Sequence, residues 1–439
     1  MIASRVAQVF AEEWPLLVAT LRRDLGDLDL AEDAAQDAFV EAAARWGPTT
    51  TPNRPGAWLL TTARRRAIDR IRHDRRFAER LPALAELAQA PPRPAEELVD
   101  DQLALIFGCC HPALDPASRM ALTLREVCGL STGQIAASFL VPMPTLAKRL
   151  VRAKAKIRTA GVPFVVPARE QLPGRCAEVL RVIYLIFTEG HTATAGPTLV
   201  RGDLCDEARW LAGLLAELLA QLPASLGTQG DHERTVALAE ALGLQALMLF
   251  TDARRDTRLD ASGRLVLLEH QDRSRWNRAL IGQGQAVLSR ALALGHVGAY
   301  QLEAAIAGLH ATAADWAHTD WAGIRRLYEQ LLVVEPSDVV ALNAAVATSM
   351  LDGPQAGLAA VETIAARGDL ADYRYLHAAR ADLLRRLGRP DEAALAYRRA
   401  LELTANEAEV RYLADRLASC LDTDPDQRTS PDAIVPDRT

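Results

Sequence analysis

Apolar residues recur at every third or fourth position through most of this chain and almost nowhere alternate in twos, a pattern that predicts helices joined by short polar turns. The segment ending at Trp46, DLDLAEDAAQDAFVEAAARW, reads as an amphipathic helix whose polar face carries Glu32, Asp33, Gln36 and Asp37. In NRPGAWLLTTARRRAIDRIRHDRR, from Asn53 to Arg76, the residues Trp58, Ala63, Ala67 and Ile71 form a stripe for burial and leave Thr61, Thr62, Arg65, Arg66 and Arg70 on other faces. CGLSTGQIAASFLVPMP predicts a helix opened by Ser131 or Thr132 and a tight turn around Val141 and Pro142. A second helix follows, with Leu146, Leu150 and Ile157 on its packed side and Ala147, Lys148, Arg149 and Arg152 turned outward. LPALAELAQAPPRPAEEL, with Pro82, Pro91, Pro92 and Pro94, reads as an extended connector, and PFVVPAREQLP as a shorter one.

Charge sharpens this picture. All three lysines of the chain, Lys148, Lys154 and Lys156, fall in LAKRLVRAKAKIR, where they join Arg149, Arg152 and Arg158 and meet no acid. A turn followed by such a basic helix is the helix-turn-helix pattern, in which the second helix lies in the major groove. Between Arg64 and Arg80 eight arginines stand against Asp69, Asp74 and Glu79. A basic helix after a Pro-rich loop (Pro48, Pro52, Pro55) suits the capture of a single strand, with a base extruded and phosphates held by guanidinium groups. Trp58 fits either a core position or a stacking platform. Residues 1–160 carry a net charge of +3 within a chain of net charge −6, so an acidic C-terminal part follows a basic N-terminal one.

These motifs, in this order and at this separation, resemble the extracytoplasmic-function sigma factors of bacterial RNA polymerase, over about the first 160 residues. The resemblance implies that Asp29, Glu32, Asp33, Gln36, Asp37 and Phe39 grip the clamp helices of the polymerase largest subunit, with the beta flap as a further polymerase contact. It implies that the loop 47–54 and the arginine helix, through Asn53, Arg54, Trp58, Thr61, Thr62, Arg65, Arg66 and Arg70, melt and hold the minus-ten element. The later helix, through Pro144, Thr145, Ala147, Lys148, Arg149, Arg152 and Lys154, would read the minus-35 element of promoter DNA. Family members usually carry Asn where this chain has Arg65, and often Lys then Ser where it has Ala147 and Lys148. Such differences alter base-edge contacts, which set specificity, rather than the fold.

A chain of 439 residues implies several domains. Near its C-terminus, LGRPDEAALAYRRALELTANEAE looks like a tetratricopeptide-type hairpin, with Gly388 at the turn and Ala393, Tyr397 and Ala400 in its second helix. Tyr328, Leu331 and Pro336 answer Tyr397, Ala400 and Ala405 at an offset of about two 34-residue repeats. Between them, Asp352, Gly353 and Pro354 form a turn by their chemistry. A similar DGP element occurs in the sigma factor subgroup that carries a tetratricopeptide-like extension. That resemblance makes the three residues a regulatory contact and implies an intramolecular contact between the sigma domains and the extension. Two polar segments, one with Glu189, His191, Asp203 and Asp206, the other with Asp252, Arg254, Arg255, Glu269, Asp272, Arg273 and Arg275, fit an ion-pair network or a small-molecule or peptide site.

The expected fold is all-α: two small helical sigma domains, the second a helix-turn-helix, then a helical, tetratricopeptide-like C-terminal domain. The expected layout is sigma region 2 at 1–80, a linker at 81–100, region 4 at 101–160, a linker at 161–172, a helical extension at 173–320, helical repeats at 321–420 and a polar tail at 421–439. No phosphate-binding glycine loop, nucleophile elbow or catalytic carboxylate pair can be assigned, so neither an enzyme nor a cofactor is expected. Cys109, Cys110 and His111 lack a second ligand pair at zinc spacing, and the six cysteines read as buried thiols. ALGLQALMLF is too short to span a bilayer and the N-terminus is broken by acids, so a cytoplasmic protein without membrane contact is expected. Two other classes remain: a helix-turn-helix regulator of duplex DNA that works without polymerase, and a tetratricopeptide scaffold.

Overall fold

The computed structural model describes residues 2–46, 51–73, 95–222 and 228–421. The loop residues 47–50, most of the 81–100 linker and the tail beyond 421 lie outside the described residues. The fold is all-α. It divides into two compact units, one of residues 1–190, 202–248 and 289–296, the other of residues 191–201, 249–288 and 297–439.

The first unit begins with α1 (Ile2–Leu25), α2 (Leu28–Arg45) and α3 (Pro55–His73). Asp27 caps α2 by accepting from the Leu30 amide at 3.0 Å, which satisfies one of the donors that a helix start leaves open. The α3 stripe is Leu59, Ala63, Ala67 and Ile71. Steps of four keep these residues on one face, whereas the five-residue step from Trp58 to Ala63 does not, so Trp58 is only half-buried and sits edge-on to Trp46 at 5.3 Å. Next come α4 (Ala95–Cys109), α5 (Pro116–Glu126), α6 (Thr132–Ser138) and α7 (Met143–Thr159). Ser131 and Gln134 close a reciprocal capping box on α6. The turn before α7 passes through Leu140 at φ +50°, a left-handed position taken by a non-glycine residue between two packed helices. Leu146, Leu150, Ala153 and Ile157 bury one side of α7.

The first unit also takes most of α8 (Leu172–His191), all of α9 (Gly202–Gln221) and most of α10 (Thr228–Asp252). The stretch Asp231–Thr257 is long and apolar enough to cross a membrane, but 78% of its most apolar window is buried, as in a core helix. The short ALGLQALMLF run is thus part of a longer apolar helix, because its flanks carry few charges. All six cysteines are free thiols, and all but Cys128 are buried.

The second unit holds α12 (Ala299–Thr312), α13 (Trp321–Val334), α14 (Asp338–Leu351), α15 (Pro354–Ala365), α16 (Arg374–Arg386), α17 (Pro390–Glu402) and α18 (Glu407–Leu421), and most of α11 (Arg278–Ala293). From α12 onward each helix packs chiefly on its neighbours in sequence. Gly388, at φ +68°, turns α16 into α17, and Ala393, Tyr397 and Ala400 are fully buried. Two-residue strands β1 (Ala195–Gly196) and β2 (Ala405–Asn406) pair in parallel. Ala405, which answers Pro336 in the expected repeat, lies in this bridge. The buried Asn406 beside it donates to the Ala193 and Thr198 carbonyls at 3.0 Å each and accepts the amides that open α18.

Candidate functional site

The acidic face of α2 and the basic α7, both in the first unit, are brought together. Lys154 reaches Asp29 at 3.1 Å and Glu126 of α5 at 2.9 Å, and it also pairs with Glu32. Arg125 donates its Nε to Glu32 at 2.7 Å, and Arg158 pairs with Asp29. Gln36 supports Glu32 from one turn away at 2.6 Å. Glu126 is wholly buried, and its backbone carbonyl accepts from the Trp14 indole at 3.0 Å. Burial is the largest influence on all three central groups. Glu126 stays above the ordinary carboxylate value. Lys154 and Arg125 together hold Glu32 below it. Glu126 and Glu32 keep the Lys154 ammonium well above its usual range despite burial. A cleft of about 350 Å³, lined by Arg22, Asp29, Lys154 and Arg158 among others, opens beside this cluster.

The remaining residues of the acidic helix are placed differently. Asp33 is exposed and pairs with Arg70 of α3 at 2.7 Å, and Asp37 is half-buried. Phe39 lies inside, against Phe10 at 4.8 Å and Trp14 at 6.1 Å. The family resemblance put it among the polymerase-contacting residues, whereas its aromatic neighbours on α1 turn it inward.

The arginines of α3 are tied to α2 and α1. Arg65 and Arg66 both reach the buried Glu41, at 2.9 and 2.8 Å, and Arg64 pairs with Asp24 at 2.8 Å. Arg65, Arg66 and Arg70 keep about half of their side-chain surface exposed. Asn53 and Arg54 are exposed, Thr61 bonds its own helix, and Thr62 is buried. Glu41 was not singled out in sequence; it lies about two and a half turns beyond Glu32, on the opposite side of an alanine-rich helix from it.

Helix α7 carries two charged sides. Pro144, Thr145, Lys148 and Arg152 are exposed, with Ala147 and Arg149 half-buried. Lys154 is turned away from them, with 11% of its side chain exposed. Helices α8 and α9 brace this helix-turn-helix: Glu178 pairs with Arg119 at 2.5 Å, Arg175 donates to the Phe107 carbonyl at 2.8 Å, and Asp203 accepts from Ser138 at 3.0 Å. From the connector after α7, the Phe164 ring lies under the Arg22 guanidinium, 4.5 Å from the ring centre, and over Gly108, where any β-carbon would meet it at 2.5 Å.

In the second unit Asp352, Gly353 and Pro354 form the expected turn. Gly353 takes φ +88°, Pro354 opens α15, and Asp352 pairs with Arg325 at 2.9 Å. Of the two polar segments, Asp252 pairs with Arg255 and Asp206 with Arg209, each pair three residues apart along the chain.

Residues 9–77 match the family model "Sigma-70 region 2" and residues 104–157 match "Sigma-70, region 4", the two segments that hold the acidic helix, the arginine helix and the helix-turn-helix. The chain carries the region 2 and region 4 domains of sigma-70 factors and is similar over this N-terminal part to extracytoplasmic-function sigma factors. Residues 175–292 match a "Family of unknown function (DUF6596)". The uncharacterized protein R00370 of Rhizobium meliloti is 40% identical over 410 residues, 92% of this chain and 93% of that one. The ECF RNA polymerase sigma factor SigK of Mycolicibacterium vanbaalenii is 27% identical over 159 residues, 34% of this sigma factor and 80% of that one. The probable ECF sigma factor SigI of Mycobacterium tuberculosis is 27% identical over 166 residues, 57% of its length. Sigma factor families act by binding rather than catalysis, and core RNA polymerase and promoter DNA are the partners that such domains imply.

Proposed function

We propose that this sigma factor directs core RNA polymerase to promoters from a closed state, in which region 4 holds the polymerase-docking helix and the attached helical extension controls release. The observation that carries this reading is the pairing of Lys154, Arg125 and Arg158 with Asp29 and Glu32, two of the carboxylates expected to meet the clamp helices. A basic polymerase surface must displace those cations before it can occupy α2. In the open state Asp33, Gln36 and Asp37 complete the docking face, with Phe39 supporting it from within. Arg54, Arg65, Arg66 and Arg70 hold the minus-ten strand, and Lys148, Arg149 and Arg152 approach the minus-35 element. The layout of region 2, linker, region 4, extension and helical repeats given above suits these roles. Helices α8 and α9, which brace region 4, are the part of the extension best placed to control it, with the turn at Asp352 a further contact surface. The site of action is the bacterial cytoplasm, where core polymerase works.

The test is core binding and run-off transcription from the promoter of the chain's own operon. Arg158→Gln, which cuts one exposed tie of the closed state, should raise core affinity a few-fold, and added salt should narrow the difference because the cleft admits solvent. Asp33→Arg with Gln36→Arg should abolish core binding. Unchanged affinity in both variants would refute the docking face, and core affinity unaltered by Arg158→Gln alone would refute the closed-state reading.

A further inference from the structure

The alternate helices α14, α16 and α18 of the second unit enclose a cavity of about 290 Å³, with Tyr397 of α17 and the half-buried Leu265 and Leu267 completing its wall. The sequence of α16 accounts for it. Tyr375, Ala378, Ala379, Leu383 and Arg386 recur at helical spacing and all line the cavity, and the two alanines in mid-stripe leave space that longer side chains would fill. Val346 of α14 and Tyr375 are 39% and 38% exposed, so the cavity opens to solvent beside them. At roughly 30 Å³ for each atom heavier than hydrogen, it has room for about ten of them.

Most of the charge around the cavity is matched within the chain. Glu409 pairs with Arg374 at 2.9 Å and accepts from the Tyr375 and Thr404 hydroxyls at 2.9 and 2.7 Å, and Asp382 takes Arg385 at 2.6 Å. Arg374 and Arg416 lie over the Tyr375 and Tyr412 rings, 4.4 and 5.3 Å from their centres, so an arginine already occupies one face of each. Two groups are left over. Arg386 is exposed at the cavity; among the described residues it pairs with no carboxylate and donates to the Met350 thioether at 4.0 Å, a weak acceptor. Tyr397 is 1% exposed, and its hydroxyl is buried without a hydrogen-bond partner. Asp382 and Arg385, whose charges that hydroxyl feels, are committed to each other. A buried hydroxyl without a partner is costly, and an oxygen brought by a ligand would offset that cost.

We propose that this cavity binds a small apolar carboxylic acid, whose chain or ring lies against Ala378, Ala379 and Leu383 and whose carboxylate takes Arg386 at the mouth and the Tyr397 hydroxyl at the wall. A carboxylate, rather than an ammonium, is what the cavity lacks: its two lining acids are paired, and its one unmatched charge is positive. The residues involved lie outside the segments that match the sigma regions, and no partner assigned to regions 2 and 4 uses them. The cavity belongs to the second unit alone, so the site stands whether or not region 4 holds the docking helix.

The experiment is calorimetric titration of the full chain with octanoate, octanol or octyltrimethylammonium at constant ionic strength, below the concentrations at which they form micelles. Octanoate should bind one to one and saturate, about five- to tenfold more tightly than octanol, and the ammonium should bind most weakly. Arg386→Gln, an exposed change, should bring octanoate down to the octanol level and leave octanol within about twofold. Tyr397→Phe should weaken octanoate about threefold, since it removes the second donor. Ala378→Leu should fill the cavity and abolish the binding of both octanoate and octanol; if that variant does not fold, Arg386→Gln decides alone. Octanoate that does not saturate, that binds no better than octanol, or that keeps its native affinity in any of the folded variants would overturn the site, as would tighter binding of the ammonium.

Discussion

Charge is handled in different ways in the two units. In the first, Lys154 is surrounded by Asp29, Glu32 and Glu126, drawn from two helices other than its own, and Arg125 completes Glu32. In the second, half-exposed Arg254 meets His191 Nε2 at 3.4 Å and, among the described residues, no carboxylate, while the His310 ring buries an Nδ1 without a hydrogen-bond partner. Both units contain acids enough for pairing: Asp252 stands next to the Arg254 region and pairs with Arg255. Charge compensation is therefore a property of placement, not of composition. Where cation and acids come from separate helices, the pairing ties those helices to each other and makes their separation costly. Where the cation is half-exposed, as at Arg254, solvent can meet the donors that the fold leaves open.

The sharpest way to break this contrast is to remove the central cation of the first unit. Lys154→Met leaves Glu126 and Glu32 buried with too little positive charge and should lower stability by about 3–5 kcal/mol in urea unfolding. The double variant with Glu126→Gln should recover at least half of that loss, and a loss confined to the single variant would establish that the two groups are coupled. No recovery would mean that Lys154 stabilises by packing of its stem.

Acid should act first on the second unit. A histidine whose folded pKa lies below its unfolded value contributes stability that is complete above about pH 6.5 and is lost as pH falls, because the unfolded chain takes up the proton first. For His310, held at about 4 against an ordinary 6.5, the loss between those pH values is about 3 kcal/mol, and His191 adds to it in the same direction. Unfolding midpoints followed from pH 7 to pH 4 should fall for the second unit, and His310→Asn should flatten that fall. An identical slope in the variant would remove His310 from the account.

The smallest effect belongs to the exposed pair of Arg325 and Asp352. Asp352→Asn should change stability by less than about 1 kcal/mol, since both side chains are solvated. Transcription altered well beyond that small change would assign the turn to a contact with another surface.

Much of the local structure was legible in the sequence. Ser131 does cap α6, Gly353 takes the left-handed conformation before Pro354, Gly388 turns one hairpin, and Leu146, Leu150 and Ile157 line the packed side of α7. These follow from cap chemistry, backbone sterics and helical period, all of which act over a few residues. The order of acidic helix, arginine helix and helix-turn-helix was likewise readable, and it carried the family. Spacing was less able to say which side chain on a face turns inward. It put Trp58 in the stripe that Leu59 occupies, and the family resemblance counted Phe39 among the polymerase contacts although Phe10 and Trp14 pack against it from within.

What only the tertiary structure decided is how charges far apart in sequence meet. Lys154 lies 122 residues from Glu32, and in the sequence it is one of six cations on a basic helix. Helical period places it on a different side from Lys148 and Arg152, but whether that side meets solvent, DNA or a carboxylate depends on where α2 and α5 pack. Arg254 shows the converse: the sequence set it among Asp252, Arg255, Glu269 and Asp272, in ample reach of acids along the chain, yet no carboxylate among the described residues pairs with it. Short-range sterics and periodicity belong to the sequence alone, whereas desolvation and long-range pairing exist only once the helices have closed around a charge.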